Sequence, residues 1–214
     1  EIKIHMKSYT IDHSIIALRK QLAAIERQIE ELQMIKSRVE HRCSQLEHAV
    51  SIRKNSDIVT IESVKKQYIL VHEVRAPYSQ EQVSIATKEC FVRSFREQLP
   101  VFFQSGAIVP YDRIQQGKYT EASFVFLPIE KTGNIEGAVE LPAGQCVCSY
   151  HAGDYLSIGS SYERILTYCE RNHLRILSDS YEFAINDYLS TGDENEYITK
   201  IMFYISKSDA PKSS

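Results

Sequence analysis

Apolar residues in the first quarter of the chain recur with the spacing of a long amphipathic helix. Between Asp12 and Lys54 there is no proline or glycine. The heptad spacing predicts a helix over residues 12–54 with a narrow apolar stripe, interrupted only at Lys36, where Ile35 is the apolar neighbour. The stripe consists of Ile11, Ile15, Leu18, Leu22, Ile25, Ile29, Leu32, Val39, Cys43, Leu46 and Val50.

Such a helix would be roughly 60 Å long, more than one small domain can cover, so we expect it to pair with a second copy in a homodimer. The alternative is a helix buried in a larger monomer, which the narrow stripe disfavours. Residues 1–9 start within a helical pattern without a capping residue, and are expected to be the tail of a preceding helix. Residues 51–57 break the heptads, and residues 207–214 are expected to be a disordered tail.

The rest of the chain alternates between strand and helix patterns in two similar halves. Each half reads strand–helix–strand–strand, which indicates an internal duplication and an α+β fold with a cleft at the seam between the halves. A capping-box spacing, Ser79 to Gln82, opens the first of the two helices. Strands are predicted at 58–64, 67–76, 107–110, 121–129, 144–151, 181–188 and 197–206, and helices at 80–98 and 157–173.

Composition and charge narrow the class of protein. The chain is 43% hydrophobic and 25% charged, as is ordinary for a globular protein, with a net charge of −3. The sequence has no stripe of basic residues that would predict a nucleic-acid-binding surface in this part of the protein. Five cysteines without a C-x-x-C pair argue against a disulfide framework or a cysteine-rich zinc site and favour the cytoplasm. No apolar run is long enough to predict a membrane span.

Familiar catalytic and cofactor motifs are missing from the sequence, so we expect no cofactor and no metal. His41, Cys43 and His48 are interpreted as exposed helix positions rather than metal ligands. Cys148 and His151 are not expected to form a reactive pair, because their strand parity places them on opposite faces.

One carboxylate stands out in an otherwise aromatic and aliphatic strand. Glu182 lies between Tyr181 and Phe183, and strand alternation places it on the same face as Ala184 and Asn186. A carboxylate in such surroundings needs a partner. A bound organic cation, attracted also by nearby tyrosine rings, and Lys200 on the next strand are equally acceptable partners at this point.

Residues 141–185, LPAGQCVCSYHAGDYLSIGSSYERILTYCERNHLRILSDSYEFAI, resemble the GyrI-like effector-binding domain of MerR-type multidrug-sensing transcription regulators. Residues 17–48 resemble the dimerisation helix of those proteins. The resemblance implies a GyrI-like effector domain over 58–206, a dimerising helix over 12–54, and a remnant of the DNA-binding domain over 1–11.

The resemblance also implies a site. The Y-E signature falls on Glu182, which would face a lipophilic cation, and a pocket tyrosine falls on Tyr197. The family has a second acid on the strand of Tyr197, and in this chain that position is Asn195. Another pocket tyrosine of the family corresponds to Ile158, and Tyr155, one turn earlier, is a substitute for it. Tyr150 completes the predicted cleft.

The implied function is a cytoplasmic, homodimeric sensor of lipophilic cations that activates transcription, without enzymatic activity. Promoter DNA and RNA polymerase would be partners of the full-length protein only. The alternative is a GyrI-like small-molecule hydrolase or sequestering protein, in which Glu182 and Tyr197 would act as base and acid. The long helix favours the regulator, because a hydrolase does not need it.

Overall fold

A single helix of 42 residues, α1 (Ile11–Ile52), forms the N-terminal part of the protein and confirms the predicted long helix. The structure, a computed structural model, describes residues 10–52, 58–130, 134–188 and 190–207. The predicted preceding helix tail, heptad break and disordered tail fall wholly or largely on residues outside these ranges. Within these ranges, no helix combines the length and apolar character needed to cross a membrane.

The chain divides into two units, residues 1–43 and residues 44–214. The second unit contains nine described strands, all of them paired antiparallel, together with the helices that follow β2, β3 and β6. The strands are β1 (Val59–Val64), β2 (Gln67–Glu73), β3 (Gly106–Val109), β4 (Phe124–Ile129), β5 (Ala138–Leu141), β6 (Gly144–Ala152), β7 (Leu174–Ile176), β8 (Ser180–Asn186) and β9 (Ile198–Lys207). The helices are α2 (Gln80–Arg96), α3 (Tyr111–Gln115) and α4 (Gly159–Arg171), with 3-10 turns at Tyr155–Ser157 and Glu194–Glu196.

The sheet confirms the predicted duplication. Its strand order is β1-β6-β9-β8-β3-β4-β2-β5, and β7 pairs separately with β9. In each half the last strand (β4 or β9) lies in the middle and the strand before it (β3 or β8) lies at the seam, so the two halves join through β3 and β8. The outermost strands are exchanged, because β1 precedes the first half but pairs with β6, whereas β5 precedes the second half but pairs with β2.

Both long helices of this unit lie on one face of the sheet. Helix α4 packs on strand residues such as Phe203, and α2 packs on residues such as Leu127. The other face carries a separate apolar cluster that includes Phe126 and Phe183.

The predicted helices and the seven predicted strands are present, with ends shifted by up to three residues. The short strands β5 and β7 and the short helix α3 were missed, because three to five residues are too few to show a period.

The seam places the two halves in close contact. Strand β3 pairs with β8 so that Ala107 lies opposite Glu182 and Gly106 opposite Phe183. A Cβ atom at Gly106 would collide with the ring of Phe126 and with the backbone carbonyl of Glu182. Glycine is therefore required at this position for the strands to pair, and it fixes the position of Glu182 relative to the first half.

Candidate functional site

A cavity of about 330 Å³ lies on the helix-covered face of the sheet at the seam. Its walls come from the first two turns of α2, from β3 and β8, from the turn before α4, and from the start of β9. The residues that line it are Gln80, Val83, Ser84, Thr87, Ser105, Gly106, Ala107, Gly153, Tyr155, Glu182, Ala184, Asn186, Asp187, Tyr188, Tyr197 and Thr199. Glu182, Ala184 and Asn186, which strand alternation predicted to lie together, all line this cavity.

Glu182 is buried in the wall of this cavity, with only 2% of its surface exposed. Its Oε2 atom accepts a hydrogen bond of 2.6 Å from the hydroxyl of Tyr155, and its Oε1 atom accepts one from the hydroxyl of Tyr162. Burial raises the pKa of Glu182 to about 7, and the two tyrosine hydrogen bonds oppose this rise by stabilising the anion. Both the neutral and the ionised carboxyl are therefore populated near neutral pH.

Tyr162, on α4, is fully buried and is the second donor to Glu182. Its ring stacks on that of Tyr119, with 5.4 Å between centroids. Its hydroxyl also lies 2.9 Å from the hydroxyl of Ser180. Because the single phenolic proton goes to the carboxylate, the stronger acceptor, Ser180 is the donor in the second contact.

Tyr155 is held over Glu182 by a short turn that His151 anchors. The Nε2 atom of His151 donates to the backbone carbonyl of Asp154 at 2.9 Å, and its Nδ1 atom lies 3.0 Å from the hydroxyl of Ser161. Burial, and then the negative charge of Glu182, raise the pKa of Tyr155 and of Tyr162 well above the ordinary value. Both tyrosines therefore remain hydrogen-bond donors at physiological pH.

The charge of the cavity wall is negative. Two of its described lining residues are acidic, Glu182 and Asp187, and none is lysine, arginine or histidine. The interpretation that Lys200 neutralises Glu182 is wrong. Strand β9 places Ile201 opposite Glu182, whereas Lys200 lies opposite Phe183 and its Nζ atom contacts Glu62 at 2.6 Å.

The predicted site residues are only partly brought together. Tyr155 and Tyr197 line the cavity with Glu182. Tyr150 packs with the apolar cluster on the other face of the sheet, 5.7 Å from Lys200 Nζ to its ring centroid. These positions follow from strand parity, since Tyr150 alternates in phase with the buried Cys148.

The two remaining predicted residues also lie outside the cavity wall. Asn195 is in the 3-10 turn before β9, where its side chain donates to Asp193 at 2.9 Å. Ile158 precedes α4 and is fully buried in the core under that helix. The resemblance assigned Asn195 and Ile158 by counting positions along the sequence, and such a count contains no information on the local geometry of these two turns.

The expected positions of the cysteine and histidine side chains have clear outcomes. Cys148 and His151 lie on opposite faces of β6, as predicted. His41 and Cys43 are exposed on α1, as predicted, whereas the side chain of His48 is outside the described set. No cluster of three or more potential ligands for a metal ion occurs among the described residues.

The sequence profile of the GyrI-like small molecule binding domain matches residues 58–206. The Multidrug-efflux transporter 2 regulator of Bacillus subtilis (strain 168) is 21% identical over 207 residues, covering 96% of this chain and 74% of that protein.

Two solved structures share the fold. The C-terminal domain of EcmrR superposes with a TM-score of 0.58 at 16% identity, covering 70% of this chain and 98% of that one. EcmrR in a complex with DNA superposes with a TM-score of 0.56 at 16% identity, covering 96% of this chain and 81% of that one.

Proposed function

The chain belongs to the family of GyrI-like small molecule binding domains, and we propose that it is the ligand-sensing part of a MerR-type transcription regulator that binds lipophilic organic cations. The observation that carries this proposal is the carboxylate of Glu182, which lies 98% buried in a cavity wall that has no described basic residue. A bound cation would supply the missing positive charge.

The energetics of Glu182 support a cationic ligand. Burial of a charged group without a charged partner costs several kcal/mol, and two phenolic hydrogen bonds offset only part of that cost. The pKa of about 7 reflects the unfavourable remainder. A cation within about 4 Å would stabilise the ionised form, and the rings of Tyr155 and Tyr197 would contribute roughly 0.5–2 kcal/mol through cation–π contact.

The long helix supports the assignment to a dimeric regulator. Apolar residues of its stripe, such as Leu22, are exposed within one chain, and a second copy would cover them in a coiled coil. One relative is described as a regulator of a multidrug-efflux transporter, and EcmrR has been solved with DNA. Promoter DNA and RNA polymerase would then be partners of the full-length protein, in the cytoplasm.

The contacts of Glu182 support binding without turnover. In the hydrolase alternative Glu182 would take up a proton as the base, but both of its carboxylate oxygens already accept hydrogen bonds, from the hydroxyls of Tyr155 and Tyr162. The described residues of the cavity wall include no cysteine or histidine, so they offer neither a thiolate nucleophile nor an imidazole base to activate the serine and threonine hydroxyls there.

Ligand charge should decide affinity. We expect tetraphenylphosphonium, a lipophilic cation, to bind at least about tenfold more tightly than tetraphenylborate, an anion of nearly the same shape, because a charge pair at about 4 Å contributes up to roughly 4 kcal/mol before desolvation. Titration calorimetry measures both dissociation constants. Equal affinities, or tighter binding of the anion, would contradict the proposal.

Cation binding should release protons near neutral pH. The free site holds roughly half a proton on Glu182 at pH 7, and a cation favours the ionised carboxylate, so the proton leaves on binding. Affinity should therefore rise with pH between about 6 and 8 and become constant above that range. Calorimetry in phosphate and in Tris, which differ in ionisation enthalpy, measures the number of protons released. A heat independent of the buffer would argue against titration of Glu182.

A further inference from the structure

A second carboxylate, Asp187, lies in the same cavity wall at the end of β8. In a regular strand, residue 187 would share the parity of Phe183 and Ile185 and point to the other face of the sheet. A bulge prevents this: Ala184 pairs with Thr199 and Asn186 pairs with Ile198, so two residues of β8 correspond to one step of β9. Bulges re-aim side chains in this way, and Asp187 is thereby brought to the cavity that Tyr197 also lines.

Asp187 has aromatic neighbours of its own. Tyr188 and Tyr197 both line the cavity, and Tyr188 is 56% exposed, which places this end of the cavity at its mouth. The pKa of Tyr188 is raised, first by burial and then by the negative charge of Asp187. The outer end of the cavity therefore has one carboxylate and two tyrosines, Asp187, Tyr188 and Tyr197, in its wall.

The two carboxylates are separated by uncharged cavity wall. Asp187 follows Glu182 by five positions, which at about 3.3 Å per residue corresponds to roughly 15 Å along the strand. The part of β8 between them contributes Ala184 and Asn186 to the wall, and β9 contributes Thr199. A hydrocarbon chain lying along this wall would meet no described charged side chain between its two ends.

We propose that the site takes a ligand with two cationic groups joined by an extended apolar spacer, one cation at Glu182 and the other at Asp187. This inference rests on the proposed function and specifies its ligand class. Once the first cation is bound, the spacer holds the second at a high effective concentration near Asp187, so the second contact adds affinity without the cost of a separate association.

The test compares two ligands that share a ten-carbon chain. Decamethonium has a quaternary ammonium at each end, whereas decyltrimethylammonium has one and is the more apolar. We expect the wild-type chain to bind decamethonium at least about tenfold more tightly in calorimetry, since tethered second contacts raise avidity by large factors. Hexamethonium, whose spacer is too short to reach both carboxylates, should lose most of that gain. Equal or weaker binding of decamethonium would overturn the inference without any variant being needed.

Variants assign the second contact to a residue. Asp187→Asn should lower the affinity for decamethonium at least about tenfold more than the affinity for decyltrimethylammonium, because only the dication has a second charged group that loses its partner. Glu194→Gln, which removes an exposed acid near but outside the cavity wall, is the matched control and should change neither affinity. If Asp187→Asn weakens both ligands equally, Asp187 acts through the general field of the site and the two-point mode is wrong.

The outcomes for the two proposals are distinguishable. If decyltrimethylammonium binding depends on Glu182 but decamethonium has no advantage, the proposed cation sensor stands and the two-point ligand does not. If neither ligand loses affinity in Glu182→Gln, both proposals fail.

Discussion

Glu182→Gln should weaken the binding of tetraphenylphosphonium about tenfold to hundredfold while leaving that of a neutral ligand of similar size unchanged or improved. The substitution keeps the shape of the side chain and removes its charge. With an effective dielectric near 20, the Coulomb attraction between the cation and the carboxylate exceeds the cost of desolvating the two charges by about 1–3 kcal/mol, and the variant loses this difference. Calorimetry on the folded variant gives the answer directly. Unchanged affinity for the cation would make the carboxylate a structural group.

The same variant should be more stable than the parent at pH 8. The pKa of Glu182 rises from 4.5 to about 7 on folding, so the native state holds the proton more tightly and ionisation is destabilising. At roughly 1.4 kcal/mol per pH unit, the free energy of unfolding falls by about 3 kcal/mol as the pH rises through the window from 4.5 to 7. Glutamine does not titrate, so this part of the pH dependence should disappear in urea unfolding measured at pH 5 and pH 8.

Glu62→Gln provides the matched comparison. Glu62 lies on the other face and has a charged partner, because Lys200 Nζ is 2.6 Å from its carboxylate. The contact with Lys200 lowers the pKa of Glu62 even though partial burial acts to raise it. Removing this carboxylate leaves Lys200 without the contact, so stability should fall while cation affinity stays constant. A Glu182→Gln variant that loses stability at pH 8 as Glu62→Gln does would mean that the buried carboxylate is net stabilising.

Lysine at both Leu22 and Ile29 should prevent formation of the proposed homodimer. These residues lie seven positions apart on the apolar stripe of α1 and are 56% and 48% exposed in one chain. In a coiled coil they would contact the partner helix, and each dimer would bury four like charges, at a cost of several kcal/mol. Sedimentation velocity measures the change from dimer to monomer.

The control for this change shifts both substitutions by one residue. Lysine at Ala23 and Glu30 keeps the spacing but falls on the polar side of the helix, where both residues are exposed. This second variant should remain dimeric. Two dimeric variants would contradict the coiled coil, and two monomeric variants would show that added positive charge, rather than the stripe, controls association.

The sequence was most informative where one residue conflicted with its surroundings. Glu182 could be identified because a carboxylate in a run of aromatic and aliphatic residues needs a partner, and alternation placed it correctly with Ala184 and Asn186. The sequence could not predict which residue of β9 lies opposite each residue of β8, because this register depends on how the strands pair in the sheet. For that reason Lys200 was an acceptable partner for Glu182 until the register placed it opposite Phe183.

Cavity residues that depend on irregular backbone were not predictable in the same way. Asp187 reaches the cavity only because of the bulge near Ile185, and nothing in its local sequence signals an extra residue in a strand. Tyr150 was predicted to line the cleft because it is a tyrosine. It lies on the opposite face of the sheet, and the sequence did not show which face the helices cover. The contribution of α2, through residues such as Val83 and Thr87, required knowledge of how the halves meet.

The exchanged outer strands should make folding highly cooperative and comparatively slow. Thr60 pairs with Cys148, and Gln67 pairs with Leu141, so these pairing partners are separated in sequence by about half of the domain or more. Topologies dominated by such distant contacts have high contact order, and the entropy of closing long loops must be overcome before the contacts form. Neither half can complete its own sheet edge, so a nascent chain has no finished domain until β6 and β9 have left the ribosome.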